Sequence, residues 1–280
     1  MTAHRNGRLV CHYCGYETPQ VKICPECGSR HIGEFKAGTQ QIEEVVKKHF
    51  PEARVLRMDL DTTRSKDGHE KILAAFANEA ADILVGTQMI VKGHDFPNVT
   101  LVGILAADMS LYSNDYRAGE RTFQLLTQAA GRAGRGAKKG EALIQTYSPE
   151  HYAIVTAAAQ DYETFYEEEI HYRELMGYPP VDNLLAILVS CEKEALLETG
   201  CKYLKEFAVR IRGAEEVAII GPASPGIGKI NDVYRKVLYL KTEKYDTLIK
   251  MKNKLEQYIE VNPGFNPMRI QFDFNPMHIS

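Results

Sequence analysis

Along the first half of the chain, apolar residues recur first at helical spacing and then in short unbroken runs, and the two modes alternate. The segment QIEEVVKKHF sets Ile42, Val45, Val46 and Phe50 on one side of a helix. ARVLRMD reads as a strand and GHEKILAAFANEA as a second amphipathic helix. The strands DILVGT and VTLVGILAAD, the helix ERTFQLLTQAAGRAG and the strand GEALIQTY follow. Helices alternating with strands that are apolar throughout predict a parallel sheet covered on both faces, over residues 35–148.

The pattern then changes. DYETFYEEEIHYRELMGYPP is polar, acidic and helical, and Pro179 and Pro180 halt it, so residues 149–180 read as a helical linker. Its acidic run, Glu167 to Glu169, reads as a solvated helix face, and Tyr178–Pro179–Pro180 as a hinge. From residue 181 to 280 the order is strand, helix, strand, strand, helix, strand, which is the ferredoxin-like α+β order. Leu197, Cys201, Leu204, Ala208 and Ile211 form the apolar stripe of its first helix. Cys191 and Cys201 read as core residues.

Composition narrows the class. Of 280 residues, 44% are apolar and 25% charged, ordinary values for a globular chain of two domains and an appendage. No apolar run is long enough to span a bilayer as a helix, and the first residues lack the apolar core of a secretion signal, so a cytoplasmic location is expected. A net charge of −3 excludes a uniformly basic nucleic-acid coat and confines any DNA contact to local clusters.

Four of the six cysteines, Cys11, Cys14, Cys24 and Cys27, form two CxxC pairs separated by nine residues. Four thiolates so spaced suit tetrahedral zinc, and residues 1–34 therefore read as part of a zinc-binding module. In TQAAGRAGRG, Arg132 and Arg135 follow Gly131 and Gly134, one turn beyond Gln128. Glycine allows a tight backbone and arginine a permanent planar charge, so the pair suits a polyphosphate held elsewhere. The alternative is a basic surface turn bound to nearby carboxylates. In ILVGTQMIVKGHDF a buried strand ends at Gly86, Thr87 and Gln88, and a loop carries Lys92, Gly93, His94 and Asp95. Ligands gather at the carboxyl ends of strands in open α/β sheets. These side chains would hold a nucleic-acid backbone, with Asp95 toward a nucleotide or its metal; a capped loop with Asp95 paired to Lys92 is the plainer reading.

Together, in this order, the two segments resemble motifs V and VI of superfamily 2 helicases. GTQQIEE, RVLRMDLDTT, GTQMIVKGHDFPNVTLVGIL, DYRAGERTFQLLTQAAGRAGR and GYPP extend the resemblance over the whole chain, to the PriA-type replication restart helicases. The resemblance implies a RecA-like second helicase lobe, with Arg132 and Arg135 reaching ATP phosphates and Gln128 linking nucleotide state to lobe movement. It implies nucleotide-side roles for Gly86, Asp95, Gly131 and Gly134, and DNA-side roles for Thr87, Gln88, Lys92 and His94. Gly38, Thr39 and Glu43 would shape a further phosphate- or DNA-facing loop.

The same resemblance implies magnesium-dependent ATP hydrolysis coupled to 3′-to-5′ movement. Its partners would be single-stranded and forked DNA, primosome proteins and single-stranded-DNA-binding protein. In the family four CxxC pairs hold two zincs, Cys11 and Cys14 on one and Cys24 and Cys27 on the other; here the two pairs share one zinc or are each half a site. The C-terminal domain would help to recognise forks. There Lys229, Arg235 and Lys236, interleaved with Tyr234 and Tyr239, suit phosphates and bases, against the simpler reading of a solvated strand face.

Neither a GxxxxGK(S/T) phosphate loop nor a DExH segment occurs in the chain. It is therefore expected to be the C-terminal part of such a helicase, inactive alone as an ATPase. The competing readings are a non-catalytic zinc and DNA-binding module or primosome scaffold and, more remotely, an RNA translocase.

Overall fold

The computed structural model describes residues 2–3, 8–10, 16–23, 25, 28–30, 38–59, 62–63, 68–91, 96–113, 115–211 and 214–277. It resolves into two compact units, one of residues 1–30, 113–118 and 166–280, the other of residues 31–112 and 119–165. At the N-terminus β1 (Thr2–Ala3), β2 (Arg8–Val10) and β3 (Glu17–Pro19) form a small antiparallel sheet. The four zinc-candidate cysteines lie outside the described residues.

In the unit that begins at residue 31, α1 (Thr39–His49) precedes β4 (Val55–Met58), α2 (Gly68–Ala77) and β5 (Ile83–Gly86). Strand β6 (Leu101–Ile104), the short α3 (Asp108–Leu111), α4 (Ala118–Ala130) and β7 (Glu141–Ile144) follow. All four strands pair in parallel, β4 with β5 and β6 with β7. The single doubly covered sheet expected from the pattern is thus two pairs among the described residues. Leu101 and Leu143 remain more than half exposed, so one face of the β6–β7 pair is open rather than buried. The apolar runs have the composition of buried strands, but cover is supplied by neighbours and not by composition.

Helices α5 (Tyr152–Ala159) and α6 (Tyr162–Met176) occupy the segment expected as a linker. Ala153, Ile154, Ala157 and Phe165 pack with Leu111, Phe123 and Leu126 in one core, where Phe123 stacks on Phe165 at 4.1 Å. These helices are therefore packed elements. Glu169, expected on a solvated face, is buried and ion-paired with Arg173 at 2.7 Å. An acidic run on a helix does not reveal that one of its members turns inward, because the inward partner lies a turn away in sequence.

The remaining unit has β8 (Asn183–Cys191), α7 (Glu194–Arg210), β9 (Ala218–Ala223), β10 (Lys229–Ile230), β11 (Val233–Thr242), α8 (Tyr245–Val261) and β12 (Arg269–Phe274). The main strands run antiparallel in the order β9–β11–β8–β12, the ferredoxin-like arrangement, with the short β10 added beside β11. Leu185, Ile187, Val189 and Cys191 alternate toward one face and meet the α7 stripe of Leu197, Cys201, Leu204 and Ala208, with Leu248, Met251 and Leu255 of α8. Burial pushes the Cys201 thiol up to about 12, as befits a core residue. The intervening Leu184 and Ala186 pack on the other face with Val237, Tyr239, Tyr116 and Tyr178. Tyr239 is 0% exposed, so its expected role in base stacking is overturned. The last six residues of β11 are buried throughout, which also overturns a solvated face for that half of the strand. Tyr178, read from sequence as part of a hinge, is a buried core residue.

A polar network joins α1 to the end of β4. The Thr39 hydroxyl donates to Asp59 Oδ2 at 2.6 Å, and the Thr62 amide donates to Asp59 Oδ1 at 2.9 Å. Arg57 pairs with Asp59 at 3.1 Å and with Glu43 at 3.2 Å. The Thr39 hydroxyl foremost, then the Thr62 amide and the Arg57 charge, hold the Asp59 carboxyl down at about 2. An unfolded aspartate titrates near 3.8. The stabilisation is therefore complete above about pH 4 and is lost as pH falls toward about 2. Asp59→Asn is expected to make the fall in melting temperature between pH 4 and 2 shallower by a few degrees; equal slopes in variant and parent would show that this carboxylate contributes nothing.

Candidate functional site

Two groups of polar side chains converge where the α/β unit's strands end. The register that pairs Met58 with Gly86 carries Asp59 and Thr87 to the same carboxyl edge. Thr39 joins them through its hydrogen bond to Asp59. Thr87 and Gln88 are both exposed, and a single 3₁₀ turn over Gln88–Val91 follows, closed by the Ile90 amide donating to the Thr87 carbonyl. Sequence reasoning placed Thr39 and Glu43 near such an edge but passed over Asp59 and Thr62. Their signal is an Asp followed three residues later by a Thr, a pairing that closes local side-chain-to-backbone bonds. Lys92, His94 and Asp95 lie outside the described residues.

Helix α4 owes its inward face to Thr122, Phe123, Leu126 and Ala129, all buried. Gln128 is on the exposed side. At Ala130 the helix gives way to a tight turn. The Gly131 amide donates to the Thr127 carbonyl at 3.0 Å, Arg132 to Ala129 at 3.0 Å and Ala133 to Ala130 at 3.2 Å. Both arginines sit on this turn, just past the helix. Arg132 is half-buried and Arg135 exposed, with Nε of Arg135 donating to the Gly131 carbonyl at 2.7 Å.

The glycines of the turn act through their backbone. Gly134 has φ of +75°, and its amide donates to the Val99 carbonyl at 2.9 Å. A Cβ on it would lie 2.6 Å from the Gly140 nitrogen, so only glycine fits. Gly136 lies so close to the Pro97 carbonyl that a side chain there would collide with it. The arginine turn is thereby pressed against Pro97 and Val99, in the segment that leads into β6. Two segments that are separate in sequence are brought together by two backbone approaches that need no side chain, Gly134 to Val99 and Gly136 to Pro97.

In the antiparallel domain, Lys229 and Arg235 flank a hairpin turn at Asn231 and Asp232, whose φ values of 48° and 63° suit a two-residue primed turn. The Lys229 ammonium lies 4.6 Å from the Tyr234 ring centre and 2.9 Å from Asp232. Asp232 first, then Tyr234, raises its pKa. The Arg235 backbone amide donates to the Gly228 carbonyl at 2.9 Å, and its guanidinium is half-exposed on the same hairpin. Lys236 instead pairs with Glu198 of α7 at 2.8 Å. Two of the three expected cations therefore share one hairpin with Tyr234, and the third braces a helix.

Residues 31–137 match the helicase conserved C-terminal domain, and residues 174–277 the primosomal protein N C-terminal domain. The chain is 46% identical over 277 residues to the replication restart protein PriA of Bacillus subtilis, covering 99% of this chain and 34% of that protein. It is 39% identical to the PriA of Synechocystis, covering 98% of this chain and 32% of that protein. To the PriA of Haemophilus influenzae it is 35% identical over 283 residues, covering 100% of this chain and 38% of the relative. The chain thus spans about a third of the length of these relatives. No helix among the described residues is long and apolar enough to cross a membrane. With a helicase domain followed by a primosomal domain, and kinship running from end to end, the chain belongs to the PriA family of replication restart proteins, as its C-terminal region.

Proposed function

We propose that this chain supplies the second motor lobe and the fork-binding domain of an ATP-dependent DNA helicase that restarts replication. The observation that carries the reading is the arginine turn held against the segment that enters β6 by the Gly134 amide, which donates to the Val99 carbonyl. Arg132 and Arg135 would stabilise charge on the nucleotide's phosphates during hydrolysis, and Gln128 would report nucleotide state to the moving lobe. Gly86, Gly131 and Gly134 give the backbone its close approach, and Asp95 would face the nucleotide with its magnesium. Thr87, Gln88, Lys92 and His94 would grip one DNA strand on the adjoining side. The phosphates themselves would be held by polypeptide outside these 280 residues, since no GxxxxGK(S/T) segment is present. Single-stranded and forked DNA, primosome proteins and single-stranded-DNA-binding protein are the partners of this reading, with 3′-to-5′ movement in the cytoplasm.

The hairpin of Lys229, Tyr234 and Arg235 would meet fork DNA, its cations on phosphates and its ring beside a base. Cys11, Cys14, Cys24 and Cys27 would hold zinc, which organises the small N-terminal module when bound. Among the described residues no cluster of three or more His, Cys, Asp or Glu is arranged to hold a metal ion.

Hydrolysis stimulated by single-stranded DNA should be absent from this chain alone and appear on mixing with a separately expressed polypeptide carrying the phosphate loop. Arg132→Ala or Arg135→Ala should then remove roughly 10³-fold of the rate. Activity unchanged by either substitution overturns the reading, and fork binding without any activity on mixing favours a non-catalytic scaffold. For the hairpin, Lys229→Ala and Arg235→Ala should each lower the slope of log affinity against log salt by about 1 for forked DNA; unaltered slopes would remove the hairpin from the interface. Elemental analysis of the purified chain should find zinc that disappears when all four cysteines are replaced by serine. A wild-type chain without zinc, purified under reducing conditions in zinc-containing buffer, would contradict the assignment.

A further inference from the structure

Strand β12 is the outer strand of the antiparallel sheet, paired with β8 on one side only. All six of its residues pair with β8 in unbroken register, and Arg269–Phe274 contains neither proline nor glycine. The opposite edge is different. There β9 carries Pro222 and a register shift opposite Val237 and Tyr239, and the two-residue β10 takes over. Proline, irregular register and short strands are devices that keep a sheet edge from pairing with another chain. The β12 edge has none of them, and among the described residues no strand lies beyond it.

The register decides which main-chain groups this edge offers. The Asn275 amide donates to the Leu184 carbonyl at 2.7 Å, and the Leu184 amide to the Asn275 side-chain oxygen at 2.8 Å. Bonded and non-bonded pairs alternate along an antiparallel ladder. Asp273, Gln271 and Arg269 therefore turn their amides and carbonyls to β8, while Ile270, Phe272 and Phe274 turn theirs outward. Side chains alternate as well. Ile270, Phe272 and Phe274 pack on the core beneath α7 and α8, and Arg269, Gln271 and Asp273 are exposed. Arg269 and Asp273 are four residues apart, about 13 Å along a strand, too far to neutralise one another. Among the described residues neither forms an ion pair.

This edge is complementary to itself. Two copies of β12 laid antiparallel about Gln271 set Ile270 opposite the partner's Phe272, and the outward groups of both then meet. Each such pair makes two main-chain hydrogen bonds, and symmetry supplies a second pair. The same register sets Arg269 opposite the partner's Asp273, again twice. Opposite charges facing each other across strands attract, and like charges there repel. Sliding one copy by two residues keeps the backbone match but places Gln271 opposite one of the charges and loses both ion pairs. Sliding by one residue sets outward groups against inward ones.

We propose that β12 is a self-association edge: two copies of this chain join antiparallel about Gln271 into one continuous sheet, with Arg269 and Asp273 as the interchain pairs that fix the register. The inference uses only the sheet and stands apart from the helicase reading. The edge formed by β9 and β10 stays outermost, so the dimer would present the Lys229 and Arg235 hairpin twice. So narrow an interface associates weakly and reversibly.

The test is sedimentation equilibrium of this chain under reducing conditions, from about 1 µM to about 1 mM, which spans the affinities of small interfaces. A reversible monomer–dimer equilibrium is expected. Arg269→Asp or Asp273→Arg turns both ion pairs into like-charge pairs and should raise the dissociation constant roughly ten-fold. The chain carrying both substitutions regains the pairs in this register and should return to within about three-fold of the parent. Both positions are exposed, so the fold is kept, as circular dichroism would check. Amide exchange locates the interface. In dilute solution the Ile270 and Phe272 amides should exchange fast while β8 protects that of Gln271, and dimerisation should protect all three. A 31.5 kDa monomer at every concentration overturns the proposal. A dimer indifferent to the charge inversions, or not rescued by the double substitution, uses another interface and overturns it too. Ile270 and Phe272 amides already protected in the dilute monomer would show the edge occupied by a segment of the same chain, and the proposal would fall.

Discussion

Strand β8 has no polar face, and much of the second unit follows from that. Nine residues, Asn-Leu-Leu-Ala-Ile-Leu-Val-Ser-Cys, run apolar at nearly every position, and a pleated strand sends successive side chains to opposite sides. An antiparallel sheet with helices on one face usually leaves the other wet. Here the second face must be covered as well. Helices α7 and α8 seal one side with leucines and a methionine, and Tyr116 and Tyr178 meet the other. The rings bring a polar problem with them, because the surrounding arginine, lysine and glutamate are buried. It is resolved by pairing Arg173 with Glu169 and by giving both cations carbonyl partners. Breaking a buried pair of this kind is strongly destabilising, since the remaining charge has no water to turn to.

The α/β unit is organised by a different constraint, that of close backbone approach. Gly134 in left-handed conformation, and the close approach of Gly136 to the Pro97 carbonyl, allow the arginine turn to lie on Pro97 and Val99. Arginine contributes charge and reach, but its place is decided by residues with no side chain. The same logic explains why a Gly-Arg-Ala-Gly-Arg segment suits a phosphate-facing role, with the glycines setting the turn and the arginines extending from it. On the neighbouring pair of strands, Thr39, Asp59 and Thr62 tie a helix start to a strand end, so the exposed hydroxyl and amide of Thr87 and Gln88 stand beside a rigid edge.

Much of this was legible in the residues themselves. The βαββαβ order, the α7 stripe, the core cysteines and the arginine and GTQ motifs follow from local spacing, because helical and strand periodicities are properties of neighbouring residues. What spacing does not carry is which distant residues share a face. Tyr239 reads as a candidate stacking residue beside basic neighbours, yet it is wholly enclosed; Glu169 reads as solvated, yet it is paired inside. The open face of the β6–β7 pair and the recruitment of Tyr116 from a loop some sixty residues before Tyr178 are decisions of tertiary packing. Local chemistry determined which elements form and which segments set charged groups beside glycines. Only the folded chain decided which side chains lose their water, since burial belongs to the assembly of elements and to no segment alone.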